Sequence, residues 1–471
     1  GTPNPSRKRP KDHPLFDKSL IFKGAAIAAA LLFGAGSAAQ QPVSADTLAA
    51  VPDSVQVVPR LATPADVAPD ATADSLGVQR PEMSRFVIID GDTVWVAEAL
   101  EVLGSRVPAA LPGAVRSVSV LDSRELERLP GRSPAENLQM VPGVSVSQRQ
   151  QYGVQSDLSI RGSTFEQVQV LLNGFDVGDP QTGHHLMNLP LGQHDVARME
   201  VLPGHGSTLY GGSAFGGTVN VLSRRPGDFT GGQIGALGGG NGTWGAWANL
   251  DVRLGANTGL RLSDEHFQTD GYDVYQEDGT EAWGGNDAEV RSRTGRLVYD
   301  GTGGEWDFFA GYADREYGAL DYYAPYPSQE RTRSLFVSAL NRRRVSDRWT
   351  IEPRVFYRQH RDEFVLFRDD PDAYTNDHLT DKGGAELRGI ADLGNRHALA
   401  MSVEGVYEEI DSQGLRGGVW GEALGHHIRK RLSGSFEVDR NDDRFRWQLG
   451  GRGDFRPDEA PWFTGTGAVS Y

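Results

Sequence analysis

The chain has 471 residues, no cysteine, 59 glycines and a formal charge of −16. The lack of cysteine leaves neither a disulfide framework nor a thiolate metal site, and the acidic balance opposes a nucleic-acid partner, which would call for a basic face. Hydrophobic residues make up 38% and the mean hydropathy is negative, which excludes a helical membrane protein but not a transmembrane β-barrel, where only every second residue meets lipid.

Gly1 rather than Met stands first, which suggests a sequence cut from a longer reading frame. Arg7, Lys8, Arg9, Lys11, Lys18 and Lys23 surround and precede the apolar run Gly24 to Phe33, and small residues follow at Ser37 and Ala39. Residues 1–39 therefore read as a secretory signal peptide cleaved after Ala39; the apolar run is about half of the roughly 20 residues that a spanning helix needs. Residues 40–91, rich in Ala, Pro, Asp, Val and Thr, carry no period and read as a periplasmic linker. Asp92, Thr93, Val94, Trp95 and Val96 then form an extended, proline-free segment able to add an edge strand to a partner sheet. Leu100 to Leu103 offers a second register for the same role.

Residues 107–228 read as a small α+β domain. Leu126 and Leu129, then Leu138 and Val141, fall at helical spacings, with Ser133, Pro134 and Glu136 as a start signal and Pro142-Gly143 as a stop. The short runs Leu158 to Ile160, Val168 to Leu172, Met199 to Leu202 and Thr218 to Leu222 are apolar, largely β-branched and bounded by turn residues, so they read as strands of a small mixed sheet.

From residue 229 alternation takes over. Leu399, Met401, Val403 and Tyr407 fall on one face, and Ala398, Ser402, Glu404 and Glu408 on the other. Phe445, Trp447, Leu449 and Phe455 likewise oppose Arg444, Arg446, Gln448, Arg452, Asp454 and Arg456. Charged inner faces contradict a packed sandwich core and suit a wet lumen. Further strands are expected near residues 232–238, 243–253, 258–267, 290–299, 304–314, 333–344, 348–361, 383–393, 426–439 and 463–471, about twelve in all. Odd-numbered connections read as long and even-numbered ones as short. No nucleophile, base and orienter set emerges, so the chain does not read as an enzyme.

The motifs "SIRGS", "VLLNG", "MEVLPG" and "LYGGSAFGGTVNVLS" stand in the order and spacing of the plug domain of TonB-dependent outer-membrane receptors, which residues 116–226 resemble. The resemblance implies an antiparallel transmembrane β-barrel of 22 strands in a complete protein, about twelve of them within residues 229–471, with the plug in its lumen. It implies a monomer in the bacterial outer membrane, surrounded by lipid. Residues 92–106 would face the periplasm, with Asp92 to Val96 as the TonB box offered to TonB and its inner-membrane energising complex. The subfamily most resembled is the cobalamin type, with a ferric siderophore as the alternative ligand and a passive porin or adhesin as a reading from another class.

The resemblance also assigns sites. Arg161, with Glu200 beside the second latch position, is expected to latch the plug to barrel carboxylates, although Pro203, Gly204 and His205 stand where the family shows Arg-Gly-Pro. The loop Asp176 to Leu189 would form the plug apex, with Asp176, His184 and His185 reaching the substrate. Tyr317, Tyr322, Tyr323 and Tyr326 crowd one loop and would offer flat rings to a large planar ligand, or form an interfacial girdle. No resident cofactor is expected, but calcium could sit in acidic loops such as that of Asp369, Asp370 and Asp372, which lack an EF-hand spacing.

Overall fold

The computed structural model describes residues 115–471, apart from 151, 273, 276–280, 283, 284, 321, 324 and 442–444, together with the strands Arg85–Ile89 and Asp92–Val96. The expected signal peptide, most of the linker and the alternative register Leu100 to Leu103 lie outside the described residues.

The two N-terminal strands, β1 (Arg85–Ile89) and β2 (Asp92–Val96), pair antiparallel with Arg85 opposite Val96 and Ile89 opposite Asp92. This corrects the expectation that residues 40–91 lack structure throughout. The run Arg-Phe-Val-Ile-Ile is apolar and β-branched, and Asp90-Gly91 before the next strand is a strong short-range hairpin signal. The pairing uses one edge of β2, and a two-stranded ribbon leaves its other edge as a template for a further strand.

In the plug, β3 (Ser119–Leu121) leads into helix α1 (Ser123–Leu126), which starts with a capping box between Asp122 and Glu125. Helix α2 (Pro134–Leu138) starts as its sequence predicts, with the Ser133 hydroxyl accepting from the Glu136 N–H at 3.2 Å and Pro134 in the first turn. Then come β4 (Val144–Gln148), β5 (Ser156–Ile160), β6 (Val168–Leu172), β7 (Phe175–Asp176), β8 (Val196–Pro203), helix α3 (Ser207–Tyr210) and β9 (Gly217–Ser223). Strands β4 and β5 form a hairpin, and the remaining strands form a five-stranded sheet in the order β3-β8-β9-β6-β7. The sheet is mixed, as expected, because β6 and β9 run parallel. Between β6 and β7 the chain reverses at Asn173 (φ 52°) and Gly174 (φ 77°), the residue pair that a two-residue hairpin with left-handed positions favours.

The plug core is formed by Leu138, Leu158, Ile160, Val170, Leu172, Met199, Val201, Val219 and Val221, and it extends to Phe309 and Phe336 on the barrel wall. That wall is one antiparallel sheet of twelve strands. Its members are β10 (Gly231–Gly238), β11 (Trp244–Gly255), β12 (Thr258–Thr269), β15 (Ala288–Gly301), β16 (Gly304–Gly318), β17 (Gln329–Arg344), β18 (Trp349–Val365), β19 (Tyr374–Gly394), β20 (His397–Arg416), β21 (Val419–Asn441), β22 (Arg446–Phe455) and β23 (Trp462–Ser470). The small hairpin of β13 (Val274–Tyr275) and β14 (Glu281–Ala282) sits in the connection between β12 and β15. Neighbours in the wall are neighbours in sequence, and the expected faces are observed. Met401, Val403, Leu449 and Phe455 are exposed on the outer face, whereas Ser402, Gln448, Arg452 and Asp454 are buried on the inner one. Among the described residues no helix is long and apolar enough to cross a membrane.

The expected alternation of long and short connections fails at the ninth. Strands β20 and β21 run for 20 and 23 residues and are joined by Gly417 and Gly418 alone. Both glycines have positive φ, 56° and 80°, the requirement of a tight turn whose twist matches that of its strands. What reads as a loop is a continuation of the hairpin.

Candidate functional site

The site is the seam between the plug apex and the inner face of β12 to β19. Its plug side is the loop after β7, residues 177–189. This loop is stiffened locally: the Gly178 N–H donates to Asp176 Oδ1 at 2.8 Å and the Gln181 N–H to Asp179 Oδ1 at 2.9 Å. A single 3-10 turn, Gly183–His185, starts at Thr182, whose hydroxyl accepts from the His184 N–H. Short Asp and Thr side chains bond their own backbone readily, which is why they hold such turns.

The wall side supplies cations. Lys382 Nζ donates to Asp176 Oδ2 at 2.7 Å and to the Gly178 carbonyl at 3.2 Å. Arg358 donates to Asp179 Oδ2 at 2.7 Å, and the Thr380 hydroxyl donates to the same oxygen at 3.0 Å. Arg354 reaches the Gly174 carbonyl at 2.9 Å and lies 4.4 Å from the Phe175 ring centroid. Arg261 donates to Asp195 Oδ1 at 2.6 Å, and Arg296 joins Asp307 to the Ser223 carbonyl. Where Gly311 crosses the plug, an added Cβ would lie 2.2 Å from the Pro190 carbonyl oxygen, so glycine is what allows this approach.

Burial and pairing act in opposition on the plug carboxylates. Burial pushes Asp176 and Asp179 up, but Lys382 and Arg358 respectively outweigh it and hold both below the usual carboxylate range. At Asp195 burial wins, and the hydrogen bonds from Thr294 and Arg261 offset it only in part, so its pKa is raised.

This corrects the expected latch. Arg161 is exposed at a left-handed turn position (φ 52°), its N–H donating to the Gly143 carbonyl at 2.7 Å. No ion pair from Arg161 to the barrel occurs among the described residues. Glu200 is buried inside the plug sheet, where Arg198 Nε donates to it at 2.7 Å. At Asp176, Asp179 and Asp195 the polarity is inverted, with cations on the wall holding carboxylates of the plug, while Arg225 at the end of the plug keeps the expected sense and donates to Glu305 at 2.7 Å.

The two apex histidines part company. His184 Nδ1 lies 2.7 Å from Asp157 Oδ1, and its ring lies 4.5 Å from that of Phe165. His185 turns inward and is 2% exposed, so it does not present a free surface to a ligand, contrary to expectation. Its Nε2 lies 3.4 Å from Glu330 Oε1 and 3.3 Å from Asp362 Oδ2. Glu330 and Asp362 are diagonal neighbours on β17 and β18, since Thr332 stands opposite Asp362. Burial pushes the imidazolium down, but Asp362 and Glu330 outweigh it and hold His185 up at about 9.

The four tyrosines are also divided, a correction to the single aromatic surface expected of them. Tyr317 and Tyr322 are 0% and 5% exposed, packed with Val154, Ala288, Ala319 and Phe364. Tyr323 and Tyr326 are 54% and 42% exposed. The Tyr323 hydroxyl accepts from Gln155 of the plug at 2.6 Å, and its ring meets Phe364 edge-on. Asp369, Asp370 and Asp372 are exposed and do not converge on a common point; among the described residues the converging set is His185, Glu330 and Asp362.

Lys382, Arg358, Arg261, Asp179, Asp195, Glu330 and Asp362 are absent from the sequence-based site. Alternation places the barrel members on the inner face, but it says nothing about which plug residue each one meets. Asp179 carried the clearest available signal, an acidic residue in a loop expected to meet the lumen.

Residues 113–218 match the family model "TonB-dependent Receptor Plug Domain". Over 178 residues the chain is 29% identical to the vitamin B12 transporter BtuB of Vibrio vulnificus, an alignment covering 38% of this chain and 29% of BtuB. Among solved structures it resembles the copper transporter OprC (TM-score 0.58, 17% identity, 75% of this chain and 59% of OprC). It also resembles the unliganded ferric citrate transporter FecA (TM-score 0.60, 14% identity, 76% of this chain and 60% of FecA) and the siderophore receptor PirA of Pseudomonas aeruginosa (TM-score 0.55, 18% identity, 76% of this chain and 59% of PirA). The chain thus spans about three fifths of the length of these transporters. Residues 113–218 thus match a TonB-dependent receptor plug-domain model, and the wall that folds around them has the β-barrel fold seen in these structures.

Proposed function

We propose that the chain belongs to an outer-membrane receptor that takes up a scarce, large nutrient into the periplasm, with cobalamin as the ligand, and that draws its energy from the inner membrane through TonB. The observation that carries this reading is the seam itself. Beside the apolar contact at Phe309 and Phe336, the plug is held to its wall by ion pairs and hydrogen bonds, which can be exchanged for water at lower cost than apolar burial. Strand β2 supplies the handle: in its hairpin one edge is paired and the other can extend a partner's sheet.

Cobalamin is favoured by the likeness to a vitamin B12 transporter and by the exposed Tyr323 and Tyr326 above the apex, flat amphipathic surfaces suited to a large planar ligand. The siderophore reading is supported by receptors of the same fold; a ferric siderophore would favour a basic, aromatic vestibule. Equilibrium binding of cobalamin to outer membranes carrying the complete gene product, with and without calcium and with a ferric siderophore as competitor, tests the assignment. Tight binding not displaced by the siderophore is expected; no binding discards cobalamin as the ligand.

A further inference from the structure

We propose that His185, Glu330 and Asp362 form a binding site for one divalent d-block cation of the zinc class, clamped between the plug apex and the barrel wall. The inference does not depend on which nutrient the receptor carries. It rests first on spacing. Donors bound to a tetrahedral zinc ion at about 2.0–2.1 Å stand roughly 3.3–3.4 Å from one another. His185 Nε2 lies 3.4 Å from Glu330 Oε1 and 3.3 Å from Asp362 Oδ2, and all three side chains are at most 7% exposed.

The same protein shows what a direct histidine–carboxylate contact looks like. His184–Asp157 closes to 2.7 Å, and His194–Glu265, His266–Glu289 and His426–Glu409 all close to 2.9 Å, the usual range of charge-assisted hydrogen bonds. His185 is the most deeply buried of these rings and faces two acids instead of one, so it has most reason to close up. It stands off from both.

Unused ligand capacity points the same way. Asp362 Oδ1 and His360 Nε2 are buried and have no hydrogen-bond partner among the described residues. The His360 ring is 0% exposed, and its centroid lies 5.1 Å from that of His185, close enough for a modest shift to bring a second imidazole to an ion. A divalent ion that takes the place of the His185 proton faces two carboxylates and a neutral imidazole, a set whose charge of −2 it cancels in a place where uncompensated charge is expensive. The donor set selects the metal class: imidazole with carboxylate suits zinc and its d-block neighbours, whereas calcium asks for six to eight oxygens. Binding through Nε2 requires the proton on Nδ1. A half-turn of the Asn188 amide, whose nitrogen lies 3.1 Å from Nδ1, presents its oxygen to accept that proton, the usual support of a metal-bound histidine.

Because His185 belongs to the apex loop and both acids to the wall, the ion would couple metal occupancy to plug docking. The test is titration of the complete, metal-stripped gene product in detergent with Zn²⁺ alone, alongside Co²⁺ absorption and hydrogen exchange at residues 177–189. One ion per chain is expected, with a tetrahedral Co²⁺ spectrum and slower exchange of the apex amides on metal addition. Glu330→Gln and Asp362→Asn, which keep side-chain shape, should each weaken binding by about 100-fold or more, while Asp369→Asn leaves it unchanged. Absence of stoichiometric binding, or affinity that survives Glu330→Gln and Asp362→Asn in proteins with unchanged circular dichroism, overturns the proposal.

Discussion

Arg358 on the barrel wall and Asp179 on the plug, 179 residues apart, meet at 2.7 Å with both side chains at most 2% exposed. Removing one charge of such a pair strands the other in a buried place, at about 3–5 kcal/mol. Asp179→Asn should therefore loosen the apex by roughly that amount, seen as faster hydrogen exchange across residues 177–189. A double variant, Arg358→Met with Asp179→Leu, should recover much of the loss. Equal exchange in Asp179→Asn and the parent would refute the latch.

Acid should weaken the same contact from a definite side. The pKa values of Asp176 and Asp179 are lowered on folding from the ordinary 3.8. Their contribution is therefore complete above that value and lost only as pH falls through the lower, folded values. Apex exchange protection attributable to these pairs should be flat from neutral pH to about pH 5 and fall below about pH 4. Loss already near pH 6 would mean that another group governs docking.

Gly311 is a steric test of plug seating. Gly311→Ala places a methyl group against the Pro190 carbonyl and should destabilise the docked plug by about 1–3 kcal/mol, while Gly405→Ala on β20, where an added Cβ meets nothing within 4 Å, should be silent. Thermal unfolding of both variants makes the comparison.

Energised uptake should hinge on the backbone of β2. Val94→Pro removes an amide hydrogen and fixes φ, which disables strand addition; nutrient accumulation should fall to background while equilibrium binding to isolated membranes is kept. Uptake at the parent's rate would favour a passive channel.

Ligand contact should divide the tyrosines by exposure. Tyr323→Ala and Tyr326→Ala should each weaken nutrient binding by about 1 kcal/mol or more, whereas Tyr317→Phe, inside the packed cluster, should not change it. A binding loss confined to Tyr317→Phe would place the ligand elsewhere.

Periodicity made most of this molecule legible. The run of alternating residues around Met401 and Val403 gives both the strand and its outer face, because a period of two permits one assignment. Ser133-Pro134 announces α2 because capping is local chemistry. Legibility ends where partners are remote in sequence. Lys382 and Asp176, 206 residues apart, carry no mutual signal, and a histidine pair in a loop does not reveal that one ring faces Asp157 and the other turns inward. Arg161 lies in a matching motif, but a motif fixes the turn (φ 52°) and not which carboxylate the side chain meets. The hairpin of β1 is hidden for a simpler reason: its Asp-Gly signal lies in a segment whose preceding composition is that of a linker.

The two-glycine turn at Gly417-Gly418 bears on how the mouth can respond to a ligand. Twenty residues of β20 extend about 68 Å along the strand, and at a tilt of about 45° that is roughly 48 Å of height against a hydrocarbon layer of about 30 Å. In a wall that spans such a layer the far end of this hairpin would stand clear of it, and apart from one bulge beside Ser412 the two strands stay paired up to the turn. A wall of this kind has little conformational entropy left to lose when something settles against it. What differs across the mouth is the ten-residue connection between β16 and β17, which presents the exposed rings of Tyr323 and Tyr326, so that a guest on that side meets side chains free to change rotamer and on the other a paired ladder.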